Sequence, residues 1–250
     1  MSSPTLLLGI DLGGSSIKGG LVDVHTGRLA SDMKSVPTPQ PSAPQEVMKA
    51  ASVLAKQLPG AKAAGFTYPG VVKRNIALTA ANVDSGWIGT DGAALASGTL
   101  GMPTVFLNDA DAAGVAEMLW GAGRNTPGTV IMLTFGTGIG TALFSDGKLM
   151  PNTEFGHIQM HGVDAETWAS ARVRTQENLD FPAWIARVNE YLHYIHALFW
   201  PDVFILGGAV SERYEQFAPL LKSPAEIRPA HFAGQAGVMG AALAATDLAR

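Results

Sequence analysis

Two glycine-rich segments of the sequence suit phosphate chemistry. The first, DLGGSS at residues 11–16, follows an apolar run and offers consecutive backbone N–H groups and hydroxyls that can surround an anion. The predicted phosphate ligands there are Gly13, Gly14, Ser15 and Lys18. Asp11 ends the apolar run, where its carboxylate could hold Mg²⁺ through water.

The second segment, GTGIG at residues 136–140, has the same character, with Gly136, Thr137 and Gly138 as predicted phosphate ligands. A third apolar run ends in Gly207 and Gly208. Neither of the first two segments matches GxxxxGK[ST], and each is followed by a strand pattern instead of a helix. Three such junctions in one chain favour phosphate binding over ordinary turns.

Acidic side chains follow another short apolar run, in the segment NDADAAG at residues 108–114. Phosphoryl transfer to an alcohol needs a base beside the hydroxyl, and aspartate serves this role in many kinases. An aspartate before AAGVAE is equally good as a helix N-cap. The spacing leaves open which of Asp109 and Asp111 is the base and which is the cap.

The segment EFGH at residues 154–157, followed by Glu166, has the residue types that bind sugar hydroxyls, since each carboxylate can accept two of them. His157 and His161 have the spacing of a helical metal pair, but Gly156 and Gly162 argue against a helix. Because the chain also has no cysteine, we predict no zinc site.

The elements around these segments predict an α/β protein. Residues 5–24 and 129–148 both have the pattern of a strand, a glycine turn and a second strand, which indicates two related halves. Between and after them, strands and helices alternate. The predicted elements are helix 46–58, a strand with a Pro69-Gly70 turn in segment 61–72, strand 104–107, helix 112–120, helix 181–199, strand 203–206 and helix 237–248.

Composition excludes several protein classes. Hydrophobic residues make up 47% of the 250 residues and charged residues only 15%, so the chain is not intrinsically disordered. The absence of cysteine removes disulfide frameworks and thiol nucleophiles. A net charge of -4 argues against a general nucleic-acid binder, and no apolar stretch is long enough for a membrane helix. We therefore expect a cytoplasmic protein with neither nucleic acid nor membrane as partner.

The motifs occur in the order found in the ROK family of sugar kinases, which the chain resembles over nearly its whole length. They are DLGGSSIKG at 11–19, PGVV at 69–72, NDADAAG at 108–114, FGTGIG at 135–140 and EFGH at 154–157. ROK proteins belong to the actin, hexokinase and Hsp70 superfamily. The resemblance implies two actin-like, ribonuclease H-like α/β lobes with a glucose cleft between them: residues 1–107 with the C-terminal helix 237–250, and residues 108–236.

Within that family, three segments are similar to the glucokinases that use polyphosphate: ANVDSGWIGTD at 81–91, NDADAAGVAE at 108–117 and PNTEFGH at 151–157. The resemblance implies formation of glucose 6-phosphate from glucose, with polyphosphate and also ATP as donors, Mg²⁺ at Asp11, and a homodimer. It makes Asp109 the base for the glucose 6-hydroxyl. The implied glucose ligands are Asn82, Asn108, Glu154, His157 and Glu166. Many ROK proteins carry a cysteine-rich zinc motif where this chain has residues 161–170. The polyphosphate-using subgroup lacks that motif too, so its absence here fits the subgroup.

Other functions compete with this one. The nearest alternative is a strictly ATP-dependent ROK hexokinase; the others are a glucose-sensing ROK protein without catalysis and a phosphohydrolase of the same superfamily. A polyphosphate donor would need a basic track beyond the sugar site, although each candidate can equally be a solvated surface residue. The candidates are Arg74, Arg124, Lys148, Arg172 and Arg174.

Overall fold

The computed structural model describes residues 5–249, which divide into two compact units. The first unit contains the described residues up to Ala116 and from Gln235 onward, and the second is Glu117–Gly234. The chain therefore passes from one unit to the other twice. Arg250, the last residue of the predicted C-terminal helix, lies outside the described residues.

The first unit is built on a six-stranded sheet with helices. Its elements up to the first crossing are β1 (Leu6–Leu12), β2 (Ser16–Asp23), β3 (Arg28–Leu29), β4 (Lys34–Pro37), α1 (Pro44–Ala55), β5 (Ala64–Tyr68), β6 (Val72–Lys73), β7 (Ile76–Ala77), α2 (Gly92–Leu100), β8 (Thr104–Asn108) and α3 (Asp109–Trp120). The crossing falls inside α3, between Ala116 and Glu117. The predicted lobe boundaries themselves stay a prediction.

The second unit is built on a five-stranded sheet. Its elements are β9 (Thr129–Phe135), β10 (Ile139–Ser145), β11 (Lys148–Met150), β12 (Gln159–Met160), β13 (Val163–Asp164), α4 (Glu166–Ala169), α5 (Ala171–Gln176), α6 (Phe181–Phe199), β14 (Val203–Gly207), α7 (Tyr214–Phe217) and β15 (Glu226–Pro229). The chain then returns to the first unit as α8 (Ala236–Ala244).

The two sheets follow one plan. In the first, the hairpin β1–β2 is antiparallel and β1, β5 and β8 run parallel. In the second, the hairpin β9–β10 is antiparallel and β9, β14 and β15 run parallel. The repeat predicted at residues 5–24 and 129–148 is thus the opening hairpin of each sheet. In each unit the parallel strands end at one edge, and ligands of open α/β sheets bind at that edge.

Helix α8 packs on the first sheet at very short range, which explains part of the high glycine content. A Cβ on Gly65 of β5 would lie 1.8 Å from the carbonyl oxygen of Ala241, and one on Gly9 of β1 would lie 1.9 Å from that of Val238. Only glycine lets the helix backbone come so close to the strands. The segment from Ala236 to Ala242 is accordingly almost entirely buried.

Each unit has its own apolar core. Aromatic rings of Tyr68, Trp87 and Phe106 pack together in the first unit, and Phe135 lies edge-on to Trp184 and Tyr191 in the second. No helix within residues 5–249 is long and apolar enough to cross a membrane.

The α/β prediction is confirmed, and helix 181–199 has the predicted bounds. In the segment 61–72, the strand covers Ala64–Tyr68 and stops before the predicted Pro69-Gly70 turn, because Pro69 has no N–H to donate to a neighbouring strand. Helix α3 begins at Asp109 instead of residue 112. The C-terminal helix ends at Ala244 and continues as a 3₁₀ turn, Thr246–Ala249.

Candidate active site

Asp11 is fixed at the end of β1 by Thr67 of the neighbouring strand. The Thr67 hydroxyl donates to Asp11 Oδ1 at 2.6 Å and accepts from the Leu12 N–H at 3.2 Å. Burial raises the pKa of the Asp11 carboxyl, against the opposing effects of that hydrogen bond and of Lys18, its partner across the β1–β2 ladder. Helix α8 begins beside the carboxylate: a Cβ on Gly237 would lie 2.7 Å from Asp11 Cγ. Asp11 is therefore a partly buried carboxylate, held by one hydroxyl, next to a glycine turn.

The turn between β1 and β2 is held in place by the proline-rich loop after β4. Thr38 donates its hydroxyl to the Gly13 carbonyl at 2.6 Å and its backbone N–H to the Ser15 carbonyl at 3.1 Å. The Gln40 amide donates to the Gly14 carbonyl at 3.4 Å. Gly14 and Ser15 remain exposed. The first predicted phosphate loop is thus a turn that hydrogen bonds hold in place on one side and that is exposed to solvent at Gly14 and Ser15.

Asn108 connects the end of β8 to two neighbours. Its Oδ1 accepts from the Asp111 N–H at 2.8 Å, which makes Asn108 the cap of α3. Its Nδ2 donates to the Gly70 carbonyl at 3.0 Å. The sequence left the capping role between Asp109 and Asp111; the structure gives it to Asn108, and α3 consequently starts at Asp109. The side chain predicted to bind glucose is 4% exposed and serves the fold as well.

Asp109, the predicted base, is the first residue of α3. Its Oδ1 accepts from the Ala110 N–H at 2.8 Å. The carboxylate thus lies at the N-terminus of the helix, where the backbone N–H groups and the helix dipole are positive. Strands β1, β5 and β8 are parallel neighbours, so Asp11 near the end of β1, Gly70 after β5 and Asp109 after β8 lie at the same edge of the sheet. Asn82 lies half-buried in the segment between β7 and α2.

The second predicted phosphate loop is packed against Glu166. The Gly136 N–H donates to the Gly138 carbonyl at 3.0 Å, and the Gly136 carbonyl accepts from the backbone N–H of Arg172 at 3.0 Å. Glu166 Oε2 accepts from the Ile139 N–H at 3.2 Å. A Cβ on Gly138 would lie 2.2 Å from the same oxygen. Glu166, predicted as a sugar ligand, therefore also determines the shape of the loop.

The third glycine junction lies beside the second loop. Strand β14 runs parallel to β9 with Gly207 opposite Thr134, so both strands end at the same edge. Gly208 has a φ of 84°, and a Cβ there would lie 2.5 Å from the Phe135 carbonyl oxygen. The two junctions predicted from the sequence thus meet at one edge of the second sheet.

Glu154, His157 and Glu166 form one electrostatic group in the second unit. His157 Nε2 lies 3.8 Å from Glu154 Oε2. Burial raises the pKa of Glu154, and the negative charge of Glu166 raises it further, whereas His157 lowers it. Burial by itself lowers the pKa of His157. A hydrogen bond to Asp164 and the charges of Glu166 and Glu154 outweigh burial, so the pKa is raised overall.

Two side chains of these groups were not predicted from the sequence. Thr67 carries a weak signal, since it is a hydroxyl residue inside the apolar run AGFTY. Asp164 has no recognisable signal in the sequence. Its Oδ2 lies 2.9 Å from His157 Nδ1, and this contact depends on the β12–β13 hairpin, which was not predicted. The Nε2 of His161 lies 2.6 Å from Glu190 Oε1, so the partner of His161 is a glutamate of α6. Within residues 5–249, no group of three or more His, Cys, Asp or Glu side chains is arranged to hold a metal ion.

A family model described as "ROK family" matches residues 7–178, well over half of the chain. The chain belongs to the ROK family. It is 45% identical over 237 residues to a polyphosphate glucokinase of Mycobacterium tuberculosis (strain CDC 1551 / Oshkosh), covering 94% of this chain and 89% of that protein. The polyphosphate glucokinase of Mycobacterium leprae (strain TN) is 44% identical, with 95% and 74% covered.

The ROK fold is also found in a solved relative of this chain. The crystal structure of inorganic polyphosphate/ATP-glucomannokinase from Arthrobacter sp. strain KM superposes with a TM-score of 0.93. The two proteins are 42% identical in sequence, and the superposition covers 96% of this chain and 98% of the glucomannokinase. The predicted actin-like α/β class is thereby confirmed.

Proposed function

We propose that this ROK protein transfers a phosphoryl group from inorganic polyphosphate, and also from ATP, to the 6-hydroxyl of glucose. The observation that supports this best is that Asp11, near the end of β1, and Asp109, just after β8, belong to parallel strands that end at one edge of the same sheet. The relatives at 42–45% identity are polyphosphate glucokinases and an inorganic polyphosphate/ATP-glucomannokinase, and they support polyphosphate and ATP as donors and glucose as the sugar. Phosphoryl transfer needs this kind of site, because it depends on positioning and charge stabilisation more than on covalent chemistry.

Asp109 is proposed as the base for the attacking hydroxyl. A strong base is not required, since the transition state of phosphoryl transfer is loose and the hydroxyl proton can leave late. Asn108 holds the Gly70 carbonyl and the start of α3 together, so it fixes the base relative to the proposed sugar site.

The remaining sugar hydroxyls are assigned to Asn82 and Asn108 in the first unit and to Glu154, His157 and Glu166 in the second. The second group supports the proposal best, because two carboxylates and an imidazole interact there, and the pKa values of Glu154 and His157 are raised. Such a group can accept from several hydroxyls at once.

The donor is assigned to the two glycine loops, Gly13–Ser15 with Lys18 and Gly136–Gly138 with Thr137. Asp11 fits a Mg²⁺ site, since Mg²⁺ takes oxygen ligands and is commonly held by one or two carboxylates together with substrate phosphates. Bound there, Mg²⁺ would neutralise charge on the phosphates. Of the five basic candidates for a polyphosphate track, Arg172 has the strongest support because its backbone N–H binds the Gly136 carbonyl. Arg174 instead stacks on Phe181 at 4.2 Å, while Arg74, Arg124 and Lys148 are exposed.

A homodimer and a cytoplasmic location are part of the same proposal. Helix α6 supports the dimer, since it exposes Tyr194 and Leu198 and is followed by Trp200, which is 74% exposed. Large apolar side chains that share one exposed face are typical of protein interfaces. The location follows from the donor, because ATP is a phosphoryl donor of the cell interior.

The decisive experiment assays purified protein with glucose, Mg²⁺ and either polyphosphate or ATP, and measures glucose 6-phosphate. Product with polyphosphate is expected, and product with ATP alone would favour the ATP-dependent hexokinase. No product with either donor would contradict a kinase function.

Asp109→Asn tests the base. We expect turnover to fall by about 10²–10⁴-fold while glucose binding, measured by calorimetry, is retained. The matched control is Asp91→Asn, because Asp91 also accepts a backbone N–H at a helix start, from Ala94 at 2.9 Å, outside the proposed site. Asparagine is as good a cap as aspartate, so this variant should keep full activity. Equal losses in both variants would rule out a specific role for Asp109.

A further inference from the structure

The segment between His157 and Glu166 forms a short hairpin that is not among the elements predicted from the sequence. Strands β12 and β13 are joined by His161 and Gly162, with φ values of 54° and 78°. Two residues of positive φ are what a tight two-residue hairpin turn requires. The resulting register places Gln159 directly opposite Asp164.

Asp164 is held at both carboxylate oxygens. Gln159 Nε2 donates to Oδ1, and His157 Nδ1 lies 2.9 Å from Oδ2. Because an ionised carboxylate only accepts hydrogen bonds, Nδ1 carries the proton of this contact. The bonds from His157 and Gln159 lower the pKa of Asp164, so it stays ionised wherever His157 titrates.

The other ring nitrogen of His157 is thereby directed toward Glu154, since Nε2 lies 3.8 Å from Glu154 Oε2. The backbone restrains the residue as well: His157 ends a 3₁₀ turn and donates its N–H to the Glu154 carbonyl at 3.0 Å. A carboxylate on one imidazole nitrogen sets the tautomer and ring orientation presented at the other.

We propose that Asp164 is a positioning residue that acts on glucose through His157. Its carboxylate, fixed by the hairpin, holds the imidazole so that Nε2 meets a sugar hydroxyl beside Glu154. The inference rests on the proposed function, because His157 and Glu154 are its sugar ligands. It adds the reason why an imidazole that is substantially exposed keeps one orientation.

The charge around His157 has a further consequence. The titratable groups that face the ring are Asp164, Glu154 and Glu166, and all three favour the imidazolium. Removing the charge of Asp164 leaves two of them, so the pKa of His157 should fall toward its ordinary value of 6.5. Glucose affinity should then become more sensitive to pH near neutrality.

The test uses Asp164→Ala and the near-isosteric Asp164→Asn, so that one variant remains informative if the other folds poorly. The matched control is Glu190→Gln, which neutralises the carboxylate of the other histidine pair on the same hairpin, His161–Glu190 at 2.6 Å. Unfolding temperatures of all variants show whether any loss is merely structural.

We expect the glucose KM of Asp164→Ala to rise about tenfold, as for other residues that orient a histidine through its second nitrogen. The donor KM and kcat should stay close to wild type, because binding of a hydroxyl remote from the reacting one is uniform binding. The imidazole titration of His157, followed by NMR, should move down by about one unit in Asp164→Asn. Glu190→Gln should change the glucose KM less than about twofold.

A glucose KM and a His157 titration that match wild type in both Asp164 variants would overturn the proposal. So would a KM increase of the same size in Glu190→Gln. If wild-type protein makes no glucose 6-phosphate with either donor, the proposed function fails separately, and the NMR titration, which needs no turnover, still decides whether Asp164 controls His157.

Discussion

Gly138 has no side chain because the carboxylate of Glu166 occupies the space where one would lie. A Cβ there would be 2.2 Å from Glu166 Oε2 and 3.0 Å from its carboxyl carbon. The same oxygen accepts the Ile139 N–H. One buried glutamate, proposed to hold the sugar, therefore also shapes the loop proposed to hold phosphate.

Gly138→Ala is expected to reduce kcat/KM by about 10²-fold, because a displacement of about 1 Å at a site of phosphoryl transfer is enough for such a loss. The glucose KM should rise as well, since Glu166 must move. Steady-state kinetics with each substrate varied would measure both effects. The control is Gly98→Ala in α2, where a Cβ meets nothing within 4 Å. That variant should keep its activity and gain about 0.5–1 kcal/mol in free energy of unfolding. Unchanged kinetics in Gly138→Ala would show that Glu166 is free to shift.

Candidate site residues could be predicted from the sequence where the residue type and its immediate neighbours indicate the chemistry. The strand-end aspartates, the glycine turns and EFGH were found in this way, and the roles of all of these site residues stay predictions until tested. The structure corrected the assignment of the helix cap, since Asn108 fills it. Asn, Asp and Ser cap about equally well, so composition at residues 108–111 cannot rank them.

Helix α3 and the segment before α8 are joined by a single buried carboxylate. Glu117 is fully buried, and its side chain accepts from the N–H groups of Ala122, His231 and Phe232 at 2.8–3.0 Å. The chain enters the second unit at Glu117 and leaves it after Gly234. The glutamate thus ties together the two ends of that unit.

Glu117→Ala should lower the free energy of unfolding by about 3 kcal/mol, since it removes three hydrogen bonds to one charged group. Glu117→Gln should lose about half as much, because an amide oxygen still accepts. Urea denaturation of both variants measures the change. As a control, Glu46→Ala breaks an exposed pair with Lys49 and should cost less than about 0.5 kcal/mol. A loss in Glu117→Ala no larger than in the control would exclude this bracing role.

Elements with strong local patterns were well predicted. Helix α6 was found with its observed bounds because Asp180 caps it, Pro182 lies in its first turn and Pro201 follows it. The β12–β13 hairpin was missed because two-residue strands carry no periodicity, and its turn is His-Gly instead of the commoner Asn-Gly.

At the scale of the whole molecule, the chain forms two units on the same sheet plan, and its last helix returns to the first unit. The close approach of α8 to β1 and β5, through Gly9 and Gly65, binds the C-terminal segment to the N-terminal sheet. The glycine content that first indicated phosphate loops thus has a second use in packing a helix against a sheet.

The exposed end of α6 predicts the behaviour of the assembled protein. Leu198→Glu should convert the proposed homodimer to monomers, because a charge in an apolar interface is costly to desolvate. Ile88→Glu is the matched control, as Ile88 is equally exposed, at 57% against 55%, but lies in the other unit. Light scattering coupled to size exclusion would measure both. A dimer that persists in Leu198→Glu, or a wild-type monomer, would contradict an α6 interface.

The sequence by itself determined the α/β class, the paired hairpins, the three glycine junctions and the helices α1, α3, α6 and α8, because these depend on residues close together in the chain. Only the tertiary structure decided which side chains meet. Thr67 binds Asp11 from 56 residues away, Glu117 binds Phe232 from 115, and Glu166 binds Ile139 from 27. Periodicity tells which face of an element is buried, whereas a hydrogen-bond partner depends on strand order and register, and these are set by packing across the whole unit.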